Sequence, residues 1–379
     1  MPNSKSRIGE RGDAARLRSF DLRARFDGRP LLLTKPGSVN WITGGLSDPI
    51  DITAPSDPVW VVETESGRAL ITSQIEAPRI ANDFDLAALG WDVIGVPWFE
   101  VNAPIYAAIR FAGRAHKDFI SDHDAFGENI VTDVVEARMV LSSAEQDDLR
   151  SLGSLVGKAL GDGINNWRPG ESTDFEIASV IGAELEHYGA KAVCLIVGGD
   201  NRLRSFRHPL AIGATIDEAV MAVVVARRGG LHVAATRIAV SSQSDSIIRL
   251  TKELIPVHCA VLNATLPSAS WGDAVDALAD GYASIGRPGS WREHFQGGPI
   301  AFEQREFELA PGQITSPYWD VAIAAGTAVA WNPSSRGGAK IEETYLVGDD
   351  TLELVTTTDG WPMSSDDDGF SHSQVKIIE

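Results

Sequence analysis

A fifteen-residue segment, Arg292 to Glu306, concentrates side chains that can transfer protons or bind ions. Its histidine, His294, shortly precedes a Gly297-Gly298-Pro299 motif. Two glycines free the backbone for left-handed geometry and the proline then fixes φ, so the sequence predicts a rigid turn that presents the imidazole. Rigid presentation suits acid–base catalysis. We interpret the segment as part of a site rather than as a core strand, the alternative being a loop histidine among solvated charges.

Basic side chains stand out in a chain whose net charge is −19. A guanidinium binds a carboxylate through two parallel hydrogen bonds, so Arg237 and Arg305 are candidates for binding an amino-acid-like or otherwise anionic small substrate. Gln296, Glu303 and Glu306 are expected to line the same pocket, and Glu303 and Glu306 are equally suited to pair with Arg305. A second cluster has surface ion pairing as its alternative role: Arg202, Arg204 and Arg207.

The composition excludes several classes of protein. With 379 residues, of which 44% are hydrophobic and 22% charged, the chain can form two domains with sizeable cores. The net charge and the lack of a basic run argue against a nucleic-acid partner. Cys194 and Cys259 lack C-x-x-C spacing, which indicates buried thiols and a reducing cytoplasm. Met1–Ala15 has no apolar stretch and the longest apolar run, Ala219–Ala226, is too short to span a bilayer, so neither export nor membrane anchoring is expected.

The first part of the chain has the patterns of a compact α/β domain. We place its boundary near residue 140, which gives domains over residues 18–140 and 141–379. The predicted features are a flexible leader over residues 1–17, a strand at Leu31–Thr34 ended by Lys35–Ser38, a hairpin of Val59–Glu63 and Ala69–Thr72, a helix at Ile105–Gly113, and a pause in the pattern at Val131–Leu141.

The second part predicts an α+β domain in which helices cover an antiparallel sheet. Two capping boxes mark helix starts, Ser143-x-x-Gln146 and Thr173-x-x-Glu176. The other predicted elements are strands at Ala192–Val197, Glu218–Arg227 and Leu231–Val240, helices at Ser244–Ile255 and Trp271–Ile285, and strands at Ala328–Trp331 and Ala339–Val347.

Several segments, in order, resemble the pita-bread family that includes methionine aminopeptidase, prolidase, aminopeptidase P and creatinase. Leu31–Gly45, ending in Asn40-Trp41-Ile42-Thr43-Gly44-Gly45, is similar to the opening of the family's N-terminal domain. Gly229-Gly230-Leu231 followed by Thr236-Arg237 is similar to its G-Y-x-x-D-x-T-R hairpin, and Ala339–Val347 to its R-I-E-D-x-x-L-V strand. The resemblance covers roughly residues 20 to 379 and implies a pita-bread domain preceded by a smaller α/β domain.

The resemblance also implies where a metal pair would lie. Metallopeptidases of the family bind two divalent ions with two aspartates, one histidine and two glutamates. In this chain the aspartate positions fall at Val223 and Ala234 and the first glutamate position at Asn332, while His294 and Glu342 are retained. With a single carboxylate left, no metal and no cofactor are expected, and Asn332 becomes a candidate for binding substrate.

Creatinase, which has the family fold but no metal, suggests chemistry for the residues that remain. It splits a C–N bond with a histidine that precedes the first hairpin strand, a position at which this chain has His208. A neutral imidazole can exchange a proton with water or a leaving nitrogen, and Glu342 would fix its tautomer. The alternatives are a structural histidine before Pro209 and a strand-end ion pair of Glu342.

The resemblance thus implies a cytoplasmic, metal-independent, creatinase-like hydrolase of a C–N bond in a small polar, carboxylate-bearing molecule. His208, His294 and Glu342 are its predicted catalytic residues. The alternatives are an inactive pita-bread module that binds peptides or proteins, a lyase or isomerase with the same histidine, and a Xaa-Pro peptidase with an unusual metal site. Relatives with an N-terminal domain are commonly dimers, so a homodimer is expected.

Overall fold

The computed structural model describes residues 4–46, 59–243, 245–365 and 369–378. The chain divides into two compact units. The first comprises Met1–Glu145 with Gly229–Leu231, and the second comprises Gln146–Arg228 with His232–Glu379. Each unit has its own cluster of buried apolar side chains.

The first unit is built on a mixed six-stranded sheet of order β4-β3-β2-β1-β5-β6. Its antiparallel pairs are β1 with β2 and β2 with β3, while β3–β4, β1–β5 and β5–β6 are parallel. The strands are β1 (Leu31–Leu33), β2 (Trp60–Glu63), β3 (Arg68–Ser73), β4 (Asp92–Val96), β5 (Ile120–Ser121) and β6 (Glu128–Asn129). The helices are α1 (Ser4–Ala24), α2 (Pro36–Ile42), α3 (Ala77–Phe84), α4 (Ala103–Ala112) and α5 (Val131–Met139), with a 3₁₀ turn at His116–Asp118.

The sequence predicts the β2–β3 hairpin and helix α4 of this unit, and both are confirmed. The flexible leader is wrong, because the chain is already helical from Ser4. The pause at Val131–Leu141 is wrong as well, since most of it is helix α5. Lys35–Ser38 does end β1, but Pro36 occupies the first turn of α2, where its missing N–H costs nothing.

The second unit combines several small sheets with helices. A four-stranded sheet of order β18-β9-β8-β7 and an antiparallel sheet of order β10-β11-β14-β15 form its framework. The helices are α6 (Ser143–Asn165), α7 (Asp174–His187), α8 (Asp200–Ser205), α9 (Ser246–Asn263) and α10 (Trp271–Ser284). The strands are β7 (Lys191–Gly199), β8 (Ala219–Arg228), β9 (Leu231–Val240), β10 (Gly297–Pro299), β11 (Ala328–Trp331), β12 (Ser334–Ser335), β13 (Ala339–Lys340), β14 (Glu343–Val347), β15 (Leu352–Leu354), β16 (Met363–Ser365), β17 (Ser371–Ser373) and β18 (Lys376–Ile377).

Local signals predict the helix starts to within one residue. The Thr173 box is confirmed, with both of its reciprocal hydrogen bonds present. The other box lies one residue earlier than predicted, because Ser142 and Glu145 form it rather than Ser143 and Gln146. Helix α9 continues through Pro256, so its predicted end at Ile255 is wrong. Its predicted start at Ser244 lies outside the described residues.

Two predictions about the last strands also need correction. Gly297-Gly298-Pro299 is not a turn but strand β10, in which Gly297 pairs with Trp331. Glycine is required there, because φ is +91° and a Cβ would lie 2.0 Å from the carbonyl oxygen of Ala330. The predicted strand Ala339–Val347 is broken into β13 and β14 at Ile341-Glu342. Among the described residues, no helix is long and apolar enough to cross a membrane.

Candidate active site

His208 and His294, which are far apart in sequence, meet side by side in the second unit. Their Nε2 atoms are 3.1 Å apart and the ring centroids 5.0 Å apart. His294 follows the 3₁₀ turn Ser290–Glu293, and His208 lies in the segment after helix α8. The structure thus brings together two of the three predicted catalytic residues, His208 and His294.

The hydrogen bonds define which ring nitrogens carry protons. His294 Nδ1 faces the carbonyl oxygen of Phe295, which can only accept, so Nδ1 carries the hydrogen. A neutral His294 then has a lone pair on Nε2, and His208 must donate its own Nε2–H across the 3.1 Å contact. The free lone pair of a neutral His208 is therefore on Nδ1. This atom of an exposed ring is the one that can accept a proton from water or substrate.

Burial and positive charge keep both rings neutral. Burial lowers the pKa of His294 to about 4, with Lys340 adding to the effect. His208 is only partly covered by the protein, yet this partial burial is the largest cause that lowers its pKa, and the charges of Lys340 and Arg305 act in the same direction. The charge of Glu342 opposes these effects at both rings. At cellular pH the pair is thus a neutral proton donor and acceptor.

Glu342 does not hold either imidazole, contrary to the sequence-based prediction. Its buried carboxylate accepts hydrogen bonds from Thr236 Oγ1 at 2.5 Å and Asn332 Nδ2 at 3.1 Å, and it forms an ion pair with Lys340 Nζ at 3.2 Å. Burial alone would raise the pKa of Glu342, but Lys340 and the two hydrogen-bond donors hold it below its ordinary value. The other amide atom of Asn332, Oδ1, is buried without a hydrogen-bond partner among the described residues.

The residues around Glu342 do not fit a metal pair. Val223 and Ala234 are buried apolar side chains on β8 and β9. Asn332 is neutral, and the one carboxylate already binds an ammonium group. In the part of the chain that the structure describes, no group of three or more His, Cys, Asp and Glu side chains is placed to bind a metal ion. Two divalent ions would need several anionic oxygen ligands.

Arg237, a predicted substrate-binding residue, is fully buried in an ion pair with Glu343 at 2.8 Å. Further donors bind Thr358 Oγ1 and the carbonyl oxygens of Thr236 and Thr356. The side chain has no exposed surface and four of its five N–H donors bind within the fold, so Arg237 is not accessible to a ligand and the prediction for it is wrong.

Other predicted pocket residues also support the framework. Gln296 is buried and donates to the carbonyl oxygens of Trp291 and His294, which fixes the segment that carries the imidazole. Arg305 pairs with Glu308 rather than with Glu303 or Glu306, and it lies over the Phe295 ring.

The carboxylate of Glu306 accepts from the backbone N–H groups of Phe302 and Glu303 at 2.8 and 3.2 Å. Glu306 therefore closes a buried turn rather than pairing with Arg305. Glu303 supplies one of these backbone donors.

Sequence reasoning missed Lys340, and it interpreted Cys194 only as a buried thiol away from any site. Lys340 is buried beside Glu342 and acts electrostatically on His208 and His294. Burial, and after it the charge of Glu342, raises the pKa of the Cys194 thiol, which therefore stays protonated. A signal for Lys340 was present, because residues two apart in an extended segment point to the same side.

His294 lines two cavities that lie in the second unit. One, of about 730 Å³, is bounded by residues 203–207, 292–294 and 334–340. The other, of about 500 Å³, also contains His208 and has mostly apolar walls that include Trp291, Phe295 and Leu309. Both histidines thus line the cavity with mostly apolar walls. His294 also lines the larger, more polar cavity.

Comparisons with known proteins identify the fold. No family model and no curated relative matches the sequence. Among solved structures, the dipeptidase PepE from Mycobacterium ulcerans is similar with a TM-score of 0.75 and 17% identity, covering 99% of each chain. The prolidase from Pyrococcus horikoshii OT3 has a TM-score of 0.69 and 14% identity, covering 92% of this chain and 99% of that one. The N-terminal domain of the FACT complex subunit SPT16 from chickpea (Cicer arietinum) has a TM-score of 0.63 and 12% identity, covering 93% and 96%.

These likenesses, together with the small antiparallel sheets and covering helices of the second unit, define the fold. The chain has the pita-bread fold of prolidase-like proteins, preceded by an N-terminal α/β unit, and the predicted α+β fold class is confirmed.

Proposed function

We propose that the chain is a metal-independent hydrolase that cleaves a C–N bond in a small polar, carboxylate-bearing substrate by histidine acid–base catalysis. The observation that carries this proposal is the 3.1 Å contact between His208 and His294. In this arrangement Nδ1 of the exposed His208 ring is free to act as a base. Neutral His294 accepts the hydrogen bond from Nε2 of His208. Solved structures with this fold include proteins named prolidase and dipeptidase, which supports hydrolysis as the reaction class.

The proposed reaction assigns each proton to an atom. His208 Nδ1 takes a proton from water while the water oxygen attacks the carbon of the scissile bond. The imidazolium that forms keeps its Nε2–H bond to His294, which carries no positive charge of its own. His208 then gives the proton to the leaving nitrogen as the C–N bond breaks, so the ring returns to its neutral form. Glu342 and Lys340 act through the electrostatic field rather than by touching the rings.

The test is hydrolysis of a panel of dipeptides and small carboxylate-bearing amides by the full chain. His208→Ala should lower the rate on any accepted substrate by about a hundred- to ten-thousand-fold, the usual effect of losing a general acid or base. His187→Ala, at an exposed position on α7, is the matched control and should leave the rate unchanged. A His208→Ala protein that turns over substrate at the wild-type rate would refute the mechanism.

A non-catalytic binding module is the second candidate. Its support is the likeness to the N-terminal domain of a FACT complex subunit, combined with apolar residues at metal-ligand positions. Absence of turnover on the whole panel, with peptide binding that survives in His208→Ala, would favour the module over the hydrolase.

We also propose the homodimer that the sequence implies. Apolar side chains just before α4 support an interface, because Trp98 and Val101 are 67% and 89% exposed and Phe99 packs edge-on against Trp98. Sedimentation velocity at micromolar concentration should give a dimer for the wild-type chain and a monomer for Trp98→Glu with Val101→Glu. A wild-type monomer would contradict the proposal.

A further inference from the structure

Arg292 is a basic side chain of the smaller cavity that has no counter-ion within the described part of the fold. It lines this cavity together with both His208 and His294. Its guanidinium lies over the Trp291 ring, 4.2 Å from the ring centroid, and forms no ion pair with any described residue. A cation–π contact stabilises the guanidinium without supplying a negative charge. Arg292 is therefore available to bind an anion beside the histidine pair.

The other charged side chains that line this cavity are paired. Arg207 binds Glu293 at 2.6 Å, and Glu308 forms an ion pair with Arg305. Neither carboxylate is therefore free to neutralise an ammonium group of a ligand. The cavity thus has one unpaired cation and no unpaired anion among its lining residues, which favours a ligand with a single negative charge over a zwitterion.

The backbone that carries Arg292 is held by the same amide as that of His294. Gln296 Nε2 donates to the carbonyl oxygens of Trp291 at 3.0 Å and His294 at 2.8 Å. The guanidinium also lies close to Gly289, where a Cβ would be 2.6 Å from Nη1. One buried side chain thus fixes the residues on either side of Arg292, so that the cation and the imidazole keep a defined relative position.

The rest of the cavity favours an apolar group on the ligand. The cavity has a volume of about 500 Å³, which suits a small molecule, and Leu278, Phe295 and Leu309 are among its walls. Moving an aliphatic side chain from water to these walls favours binding. The features of the cavity therefore fit a small molecule with one carboxylate and one apolar group.

We propose that Arg292 binds the carboxylate of the substrate, and that the substrate is an N-acyl amino acid with an apolar side chain. This inference rests on the proposed function and narrows its substrate class. Acylation removes the positive charge of the α-amino group, so such a molecule is a monoanion, whereas a dipeptide carries an ammonium group for which the cavity has no free counter-ion. Hydrolysis breaks the amide C–N bond and forms a C–O bond with the oxygen of water, while one proton of that water passes through His208 to the leaving nitrogen.

The experiment compares three substrates of the full chain at neutral pH. They are N-acetyl-leucine, N-acetyl-leucinamide, which lacks the carboxylate, and glycyl-leucine, which adds an ammonium group. For cleavage of the acyl–nitrogen bond, kcat/KM should be about tenfold higher for N-acetyl-leucine than for either of the others, the effect of one charge-assisted hydrogen bond. Arg292→Gln should lower kcat/KM for N-acetyl-leucine about tenfold, mainly through KM, and leave that for N-acetyl-leucinamide unchanged. Arg292→Lys, which keeps the charge, should restore part of the loss.

Arg249→Gln is the matched control and should leave all three rates unchanged. The Arg249 side chain is 65% exposed and ion-paired with Glu253, and it lies outside the cavity. Cleavage of N-acetyl-leucinamide or glycyl-leucine as fast as N-acetyl-leucine would overturn the inference and leave the hydrolase proposal standing. The same holds if Arg292→Gln slows all three substrates equally, because a merely structural role would do that.

A binding measurement separates this inference from the proposed hydrolysis. Isothermal titration of His208→Ala with N-acetyl-leucine measures binding without turnover, and adding Arg292→Gln should weaken it about tenfold. Equal binding with and without Arg292 overturns the inference whatever the reaction. Binding that depends on Arg292, in a chain whose wild-type form cleaves none of the three substrates, supports the carboxylate site and counts against the hydrolase.

Discussion

Two buried ion pairs use the neighbouring carboxylates of Glu342 and Glu343, and they differ in what surrounds them. Thr236 and Glu342 share one side with Lys340, whereas Arg237 and Glu343 share the other. Successive residues of an extended chain point to opposite faces, so a shift of one residue separates the two environments.

The Arg237–Glu343 pair is closed to ligands. Both side chains have no exposed surface, and Thr356 Oγ1 and Ser373 Oγ donate to the carboxylate of Glu343. The Glu342–Lys340 pair, in contrast, leaves an unsatisfied amide oxygen on Asn332, and Lys340 lines a cavity. A fully buried pair that binds within the fold stabilises the structure, whereas the pair beside an unsatisfied buried group is the better candidate for a site.

The largest effect is expected for the closed pair. Glu343→Gln leaves the guanidinium of Arg237 buried without a counter-charge, which should lower the free energy of unfolding by about 3–5 kcal/mol. Urea titration followed by circular dichroism measures this value. Arg150→Gln, which breaks the exposed pair with Glu353, should cost at most about 1 kcal/mol. Equal losses for the two variants would mean that burial does not distinguish these pairs.

The next largest effect is expected in the pH dependence of the free energy of unfolding, through the protonation of His294. The folded pKa of His294 is about 4, below the ordinary value of 6.5, so between these values the unfolded chain binds more protons. Stability contributed by neutral His294 is thus complete above about pH 6.5 and lost as the pH falls towards 4, by about 3 kcal/mol in total. Urea titrations from pH 4 to 7 should show this slope in the wild-type chain and a shallower one in His294→Gln. Identical slopes would place His294 in a solvated environment.

A smaller effect is expected on the pKa of His294 when the charge of Lys340 is removed. Lys340→Met removes a positive charge that lowers the pKa of His294, so that pKa should rise. NMR titration of the imidazole signals measures the change. Lys252→Met, at an exposed position on α9, is the control and should cause no shift. An unchanged His294 pKa in Lys340→Met would show that the ammonium group does not reach the histidine pair.

The sequence could predict some residues of the candidate site, whereas others depended on which face of an extended segment each side chain occupies. His208 and His294 were accessible through their position relative to the family motifs, and the structure brings them together. Arg237 was misassigned because an arginine in a site and one in a closed pair look alike until the register of β9 against Glu343 is known. Lys340 required the three-dimensional partner Glu342, although its spacing of two residues already hinted at it.

The fold was predictable where local rules dominate. The box at Thr173 and the β2–β3 hairpin depend on neighbouring residues, and both were predicted correctly. Gly297–Pro299 has the composition of a turn, but pairing with β11 makes it a strand, because tertiary contacts override local preference. Helix α9 likewise passes through Pro256, whose local signal predicts a stop.

The last comparison concerns metal, for which no effect is expected. In this fold the resemblance places metal ligands on the side of Glu342, where Val223, Ala234 and Asn332 supply no charge and Lys340 is a cation. A divalent ion would have to displace that ammonium group and would gain one carboxylate in return. We therefore expect far less than one equivalent of manganese, cobalt or zinc by elemental analysis after gel filtration, and an unchanged melting temperature and turnover with chelator. Stoichiometric metal would mean that Lys340 leaves Glu342, and the carboxylate would then have to be assigned to a metal site rather than to the field around the histidine pair.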